Sequence, residues 1–131
     1  MNRINPRWAG NILLVTFVVL VIFHILVIAQ VVPAGMVWGG QFQGSTGSLL
    51  MVEIFALLLT VVFALFVALK LRYVYIPISG KIAQTGVWVL FAYFVLNTLG
   101  NLAAVTWTEK LVFTPITIVL AILTYRVARM K

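Results

Sequence analysis

Four apolar stretches, residues 9–32, 48–69, 82–104 and about 107–127, take up most of this chain. Each reaches the roughly 20 residues that an α-helix needs to cross a bilayer's hydrocarbon core. In lipid every backbone amide and carbonyl must find a partner inside the protein, which restricts such segments to helices or closed barrels. The polar–apolar alternation of a barrel strand is missing, and helices are left. The expected fold is an all-α integral membrane protein: an antiparallel bundle of four transmembrane helices forming a single membrane domain, 1–131. Composition agrees, with 64% hydrophobic residues, 8% charged residues and a mean hydropathy of +1.20. Soluble domains carry about 25% charge, and no stretch is left over to form one.

Arg3 and Arg7 precede the first apolar run, as in a secretory signal peptide, and Val32-Pro33-Ala34 offers a weak cleavage site. The run is too long for a signal's apolar region. It is therefore expected to remain as a membrane helix.

Orientation follows from the basic residues. Arg3 and Arg7 lie before the first span, Lys70, Arg72 and Lys81 between the second and third, and Arg126, Arg129 and Lys131 after the fourth. The other two connections hold only Lys110. This asymmetry places both termini and the loop around Tyr73–Lys81 in the cytoplasm. The net charge of +7 then reads as a topology signal and a contact with anionic lipid. A nucleic-acid partner is not expected, because the basic residues are divided among three flanks and form no patch.

Several chemistries are excluded. There is no cysteine, hence no disulfide, thiol redox pair or thiolate metal site. Aspartate is absent too; Glu53 and Glu109 are the only acids and His24 the only histidine. A Ser-His-Asp triad or a paired-aspartate magnesium site cannot be assembled. One histidine and one glutamate fall short of the three or four protein ligands zinc takes, so neither metal nor cofactor is expected. Catalysis has little support, since only Glu53 and His24 could serve as acid and base.

The connections differ in character. Pro77 and Gly80 break the chain between the second and third spans. Thr106-Trp107-Thr108-Glu109 reads as a capping box that makes Glu109 a cap for the last helix. The connection from Pro33 to Gly47 holds five of the nine glycines, with Trp38, Gln41 and Gln43 among them. Loops of this length are uncommon and tend to be functional or disordered. It has no lysine or arginine and follows no strand, which opposes a phosphate cradle. Two readings stand: an outer loop with Trp38 at the interface, or a lid of Trp38, Gly39 and Gly40 over the bundle mouth.

Small and polar residues recur at helical spacing inside the spans. The stripes are Glu53, Ala56, Thr60, Ala64 and Ala68; Gly86, Tyr93, Asn97, Gly100, Asn101 and Ala104; and Thr114, Thr117, Ala121, Thr124 and Ala128. Small residues let membrane helices approach, and Thr and Asn bond across the contact. These stripes argue for packing. Depth points to more: His24, Glu53, Asn97, Asn101, Thr114 and Thr117 all fall in the outer half of their spans. With the first helix run to residue 32, His24 lies roughly 12 Å below its outer end. Pro115 interrupts the last span in the same layer, where a kink is expected.

Glu53 carries the sharpest expectation. An acidic group at membrane depth costs up to about 3 kcal/mol and usually marks a site with a partner nearby. His24 is the other ionisable group at that depth. The expected function is binding, with passage or transport, of a small polar ligand or ion in an outward-facing pocket. Glu53 would supply charge, His24 a proton or hydrogen bond, and Asn97, Asn101, Thr114 and Thr117 orientation. The alternative is a structural or accessory subunit whose polar residues serve helix packing, homo-oligomer formation or contact with a partner membrane protein.

Small multidrug transporters carry their glutamate in the first helix, where this chain has none. The segments Val37-Trp38-Gly39-Gly40, Asn97-Thr98-Leu99-Gly100-Asn101 and Phe113-Thr114-Pro115-Ile116-Thr117 resemble those of small, uncharacterised four-span proteins of bacterial membranes. That resemblance implies four helices and a bacterial inner membrane. It brings no activity with it.

Overall fold

The computed structural model describes residues 4–33, 37, 45–105, 107 and 109–131. Among them the chain is all-helical: α1 (Pro6–Ile28), α2 (Thr46–Lys70), α3 (Gly80–Ala103), a π-helical turn (Glu109–Phe113) and α4 (Thr114–Ala128). Four helices are long and apolar enough to cross a membrane. Only 17% of the α1 and α2 windows is buried by protein, against 44% for the last. Their outer faces are Val, Ile, Leu and Phe, including Val15, Phe55, Leu96 and Leu111 at 64–67% exposure. A bilayer is the medium that covers such faces.

Each helix begins and ends for a local reason. Asn5 caps α1 by accepting from the Arg7 amide at 2.9 Å, and Pro6 takes the first helical position, where its missing N–H costs nothing. Ser45 Oγ accepts from the Ser48 amide at the start of α2 (3.3 Å), and Ser79 Oγ from the Lys81 amide at the start of α3 (3.2 Å). The ends of α1 and α2 share one geometry. Gln30 (φ 59°) and Arg72 (φ 61°) are left-handed, and the amides around them turn back onto the last helical turn. Gln30 N bonds Val27 O and Val31 N bonds Leu26 O; Arg72 N bonds Leu69 O and Tyr73 N bonds Ala68 O. These are Schellman ends in which a larger residue takes the place usually held by glycine. The first span therefore stops at Ile28, where hydropathy alone continued it to residue 32.

The last span changes helix type just before its proline. Pro115 stands in the first turn of α4, directly after the π-helical turn, where its absent N–H removes no α-helical bond. The box residues Thr106 and Thr108, and the side chain of Glu109, lie outside the described residues.

The chain forms two compact units, one running through Val15 and resuming at Phe63, the other Thr16–Val62. In the first unit the start of α1, the end of α2, the start of α3 and the end of α4 come together. Tyr73 OH donates to Asn11 Oδ1 (2.7 Å), and the Arg126 guanidinium donates to the Ile4 carbonyl from Nη2 and Nε (2.8 and 3.3 Å). Lys70 donates to Gln84, whose amide donates to the Ala128 carbonyl (2.8 Å). Gly86 lets α2 and α3 approach so closely that a Cβ there would fall on the Phe66 ring. Trp88, Phe91 and Tyr125 pack with centroids 5.6–5.9 Å apart between α3 and α4.

Candidate functional site

The second unit contains the pair on which the sequence argument rested. His24 Nδ1 and Glu53 Oε2 are 2.7 Å apart, joining α1 to α2. Glu53 is 1% exposed and the His24 side chain 13%. Glu53 lies about 10 Å along α2 from Thr46, and His24 only about 6 Å from the end of α1, at 1.5 Å per residue. His24 is shallower than expected because α1 stops early. Two acceptor-rich groups can share this contact only through a proton: Nδ1–H donates to the carboxylate, or the carboxyl donates to Nδ1. The ring packs edge-on to Phe23, with centroids 5.9 Å apart.

One helical turn toward the loop, the same faces carry Val27 and Leu49. They form a buried apolar cluster with Val37, and Val32 packs against it. Val27 is three residues from His24 and Leu49 four from Glu53, so the cluster lies on the loop side of the pair by helical register. Val37 belongs to the long connection, so that loop contributes at least one anchored side chain. The lid residues Trp38, Gly39 and Gly40, and the loop's Gln41 and Gln43, lie outside the described residues. Two turns deeper on α2, Thr60 Oγ1 donates to the Ala56 carbonyl (2.8 Å), which satisfies a buried hydroxyl within its own helix.

The remaining candidates belong to the first unit and behave differently from one another. Thr114 and Thr117 are buried at 6% and 7% exposure. Thr117 Oγ1 lies 2.9 Å from Thr98 Oγ1 and 3.5 Å from Asn101 Nδ2, and reaches the carbonyls of Phe113 and Thr114 at 3.0 and 3.1 Å. This polar knot ties the end of α3 to the start of α4. Asn97 is exposed. The α3 face is Ala83, Val87, Leu90 and Phe94, continuing by helical register to Asn101; Thr98, which bonds Thr117, stands 100° from Asn97. The five residues of the α4 stripe are all buried.

Sequence reasoning passed over Thr98 as a contact and Gln84 as a bridge between helix ends. Gln84 stands 100° from Ala83 and Thr98 about 60° from it, at the edge of the 83–87–90–94 face, so the apolar spacing carried no signal for either. Among the described residues, every buried side-chain nitrogen and oxygen has a hydrogen-bond partner. No group of three or more His, Cys, Asp or Glu side chains among them can hold a metal ion.

Comparison with protein-family models, curated proteins and solved structures finds no match for this chain.

Proposed function

We propose that this protein binds a small monovalent cation or cationic polar ligand at Glu53, with His24 as the internal counterpart that occupies the carboxylate at rest. The observation that carries this reading is the 2.7 Å contact to a carboxyl group that is 1% exposed. Acidic groups buried in membrane helices are costly, and where they persist they usually serve an ion or substrate. With Nε2 keeping its own proton, a further proton between Nδ1 and Oε2 balances the charge of Glu53 when no ligand is present, and its loss leaves a neutral imidazole. A cation reaching the carboxylate takes over that task, and one proton leaves. Binding and proton release are then the same event, and passage follows if the proton and the cation exit on different sides.

The reading includes an orientation. Both termini lie in the cytoplasm of a bacterial cell, the protein spans the inner membrane, and the 33–47 connection faces outward, as the distribution of lysine and arginine favours. The Val27–Val37–Leu49 cluster is then an outer plug over the pair. Thr114, Thr117 and Asn101 serve the α3–α4 contact.

The test is proton release from the detergent-solubilised full chain, weakly buffered at neutral pH, on addition of Na⁺, K⁺ or NH₄⁺. The wild-type protein is expected to release close to one proton per chain with at least one of them, and Glu53→Gln none. A second reading, an accessory subunit in which the pair fixes helix packing, draws on the satisfaction of every buried polar side-chain atom among the described residues. It predicts no release from wild type, with Glu53→Gln altering assembly or melting only.

A further inference from the structure

At the end of the first unit where α1 begins and α2 ends, a cavity of about 480 Å³ is lined by Asn5, Pro6, Arg7, Leu71, Arg72, Met130 and Lys131. Three of the seven are cations, contributed by the α1 start, the turn after α2 and the segment after α4. None is an acid. All three are exposed, so their charged groups are open to a ligand. We propose that this cavity is a binding site for a phosphate group, of the kind carried by anionic lipid headgroups.

The walls are fixed by contacts separate from the cations. Tyr73 holds the turn after α2 to Asn11 of α1, and Arg126 holds the Ile4 carbonyl to α4. Leu71, 2% exposed, sits against Gly10, where a Cβ would lie 2.6 Å from Leu71 Cδ1. The segments that present Arg7 and Arg72 are thereby anchored before any ligand arrives, which lowers the ordering cost of binding.

Arg72 occupies the left-handed position of a helix end, φ 61°, where glycine is the usual residue and would be accepted without strain. Arginine's planar fork matches phosphate oxygens two at a time. The surroundings have the character of a membrane interface: Trp8, Tyr73 and Tyr75 are 62%, 52% and 91% exposed near this end, and exposed Trp and Tyr gather at headgroup level. Basic pockets between membrane helices at that level take phosphorylated headgroups.

Full-length protein in neutral detergent is titrated with phosphatidylglycerol or phosphatidylcholine, and retained lipid is counted by native mass spectrometry. Wild type is expected to retain phosphatidylglycerol in preference. Arg7→Gln and Arg72→Gly each weaken that retention about five-fold, the effect of one cation near a phosphate surface. Lys81→Gln, a cation outside the cavity, changes it less than about two-fold. Arg72→Gly also relieves the backbone, so its loss of lipid cannot be assigned to misfolding. Millimolar inorganic phosphate separates the two sources: displacement of the lipid marks a site for free phosphate, and retention marks a headgroup site. Equal retention of the two lipids by wild type overturns the proposal. So does undiminished retention in both arginine variants, or an equal loss in Lys81→Gln, which would mark diffuse surface charge.

Discussion

Glu53 of α2 and His24 of α1 share a hydrogen bond of 2.7 Å in which the carboxyl group is 1% exposed and the imidazole 13%. Neither side chain is replaceable without consequence for the other. Removing one member of a buried pair leaves its partner's polar atoms desolvated, which typically costs about 3 kcal/mol. His24→Ala is expected to destabilise the protein by about that amount in a reversible unfolding assay in detergent. Glu53→Gln, which keeps an acceptor facing Nδ1, is expected to cost about 1 kcal/mol. The double variant should cost less than the sum of the two. Strict additivity would show that the contact contributes nothing to the fold.

The close approach of α2 and α3 at Gly86 predicts a different kind of failure. A methyl group there meets the Phe66 ring, and the ring must turn or the helices must part. Overpacking of this kind costs about 1–3 kcal/mol. Gly86→Ala is expected to lower the melting temperature, and Gly100→Ala is not, because nothing lies within 4 Å of a Cβ at that position. Circular dichroism melts of both variants distinguish the two.

The end of α1 offers a stabilising change. Gln30 holds φ 59° within a hydrogen-bonded turn that glycine would enter without steric conflict. Gln30→Gly is expected to gain about 0.5–1 kcal/mol, the relief of the left-handed backbone less the added freedom of the unfolded chain. A loss of stability in the same unfolding assay would show that the Gln30 side chain contributes more than its backbone costs.

Much of the fold is readable from residue order alone. Four apolar runs require four helices because nothing else satisfies the backbone in lipid, and the α4 stripe of Thr114, Thr117, Ala121, Thr124 and Ala128 is buried throughout. The pairing of His24 with Glu53 follows from scarcity: two ionisable groups at similar depth have few other partners. Helix ends were less legible. Val31 and Val32 are as apolar as the residues before them, and only the backbone reversal at Gln30 stops α1. The α3 face was harder still, because Asn97 and Thr98 are both polar and stand 100° apart. Hydropathy cannot decide between them, and neither can register, since Leu90 and Phe94 leave both within about 60° of the buried face.

That distinction is itself measurable. Thr117→Val removes the hydroxyl at the centre of the α3–α4 knot and is expected to cost about 0.6 kcal/mol, the average for an interhelical hydrogen bond in a membrane protein. Asn97→Ala, at an exposed position, is expected to stay within about 0.5 kcal/mol of wild type. Equal losses for the two would place Asn97 in a contact of its own.

Whether the Glu53 carboxylate meets a ligand can be read at the carboxyl carbon itself. The measurement is the carboxyl ¹³C resonance of Glu53, assigned by its loss in Glu53→Gln, recorded in lipid bilayers during titration with Na⁺, K⁺ and NH₄⁺. The prediction is a saturable shift with at least one of these cations, accompanied by a change in the His24 ring ¹⁵N resonances as the shared proton leaves. A Glu53 resonance that stays fixed through all three titrations, in protein whose other signals are those of the folded state, would contradict it and leave the pair as a structural tie between α1 and α2.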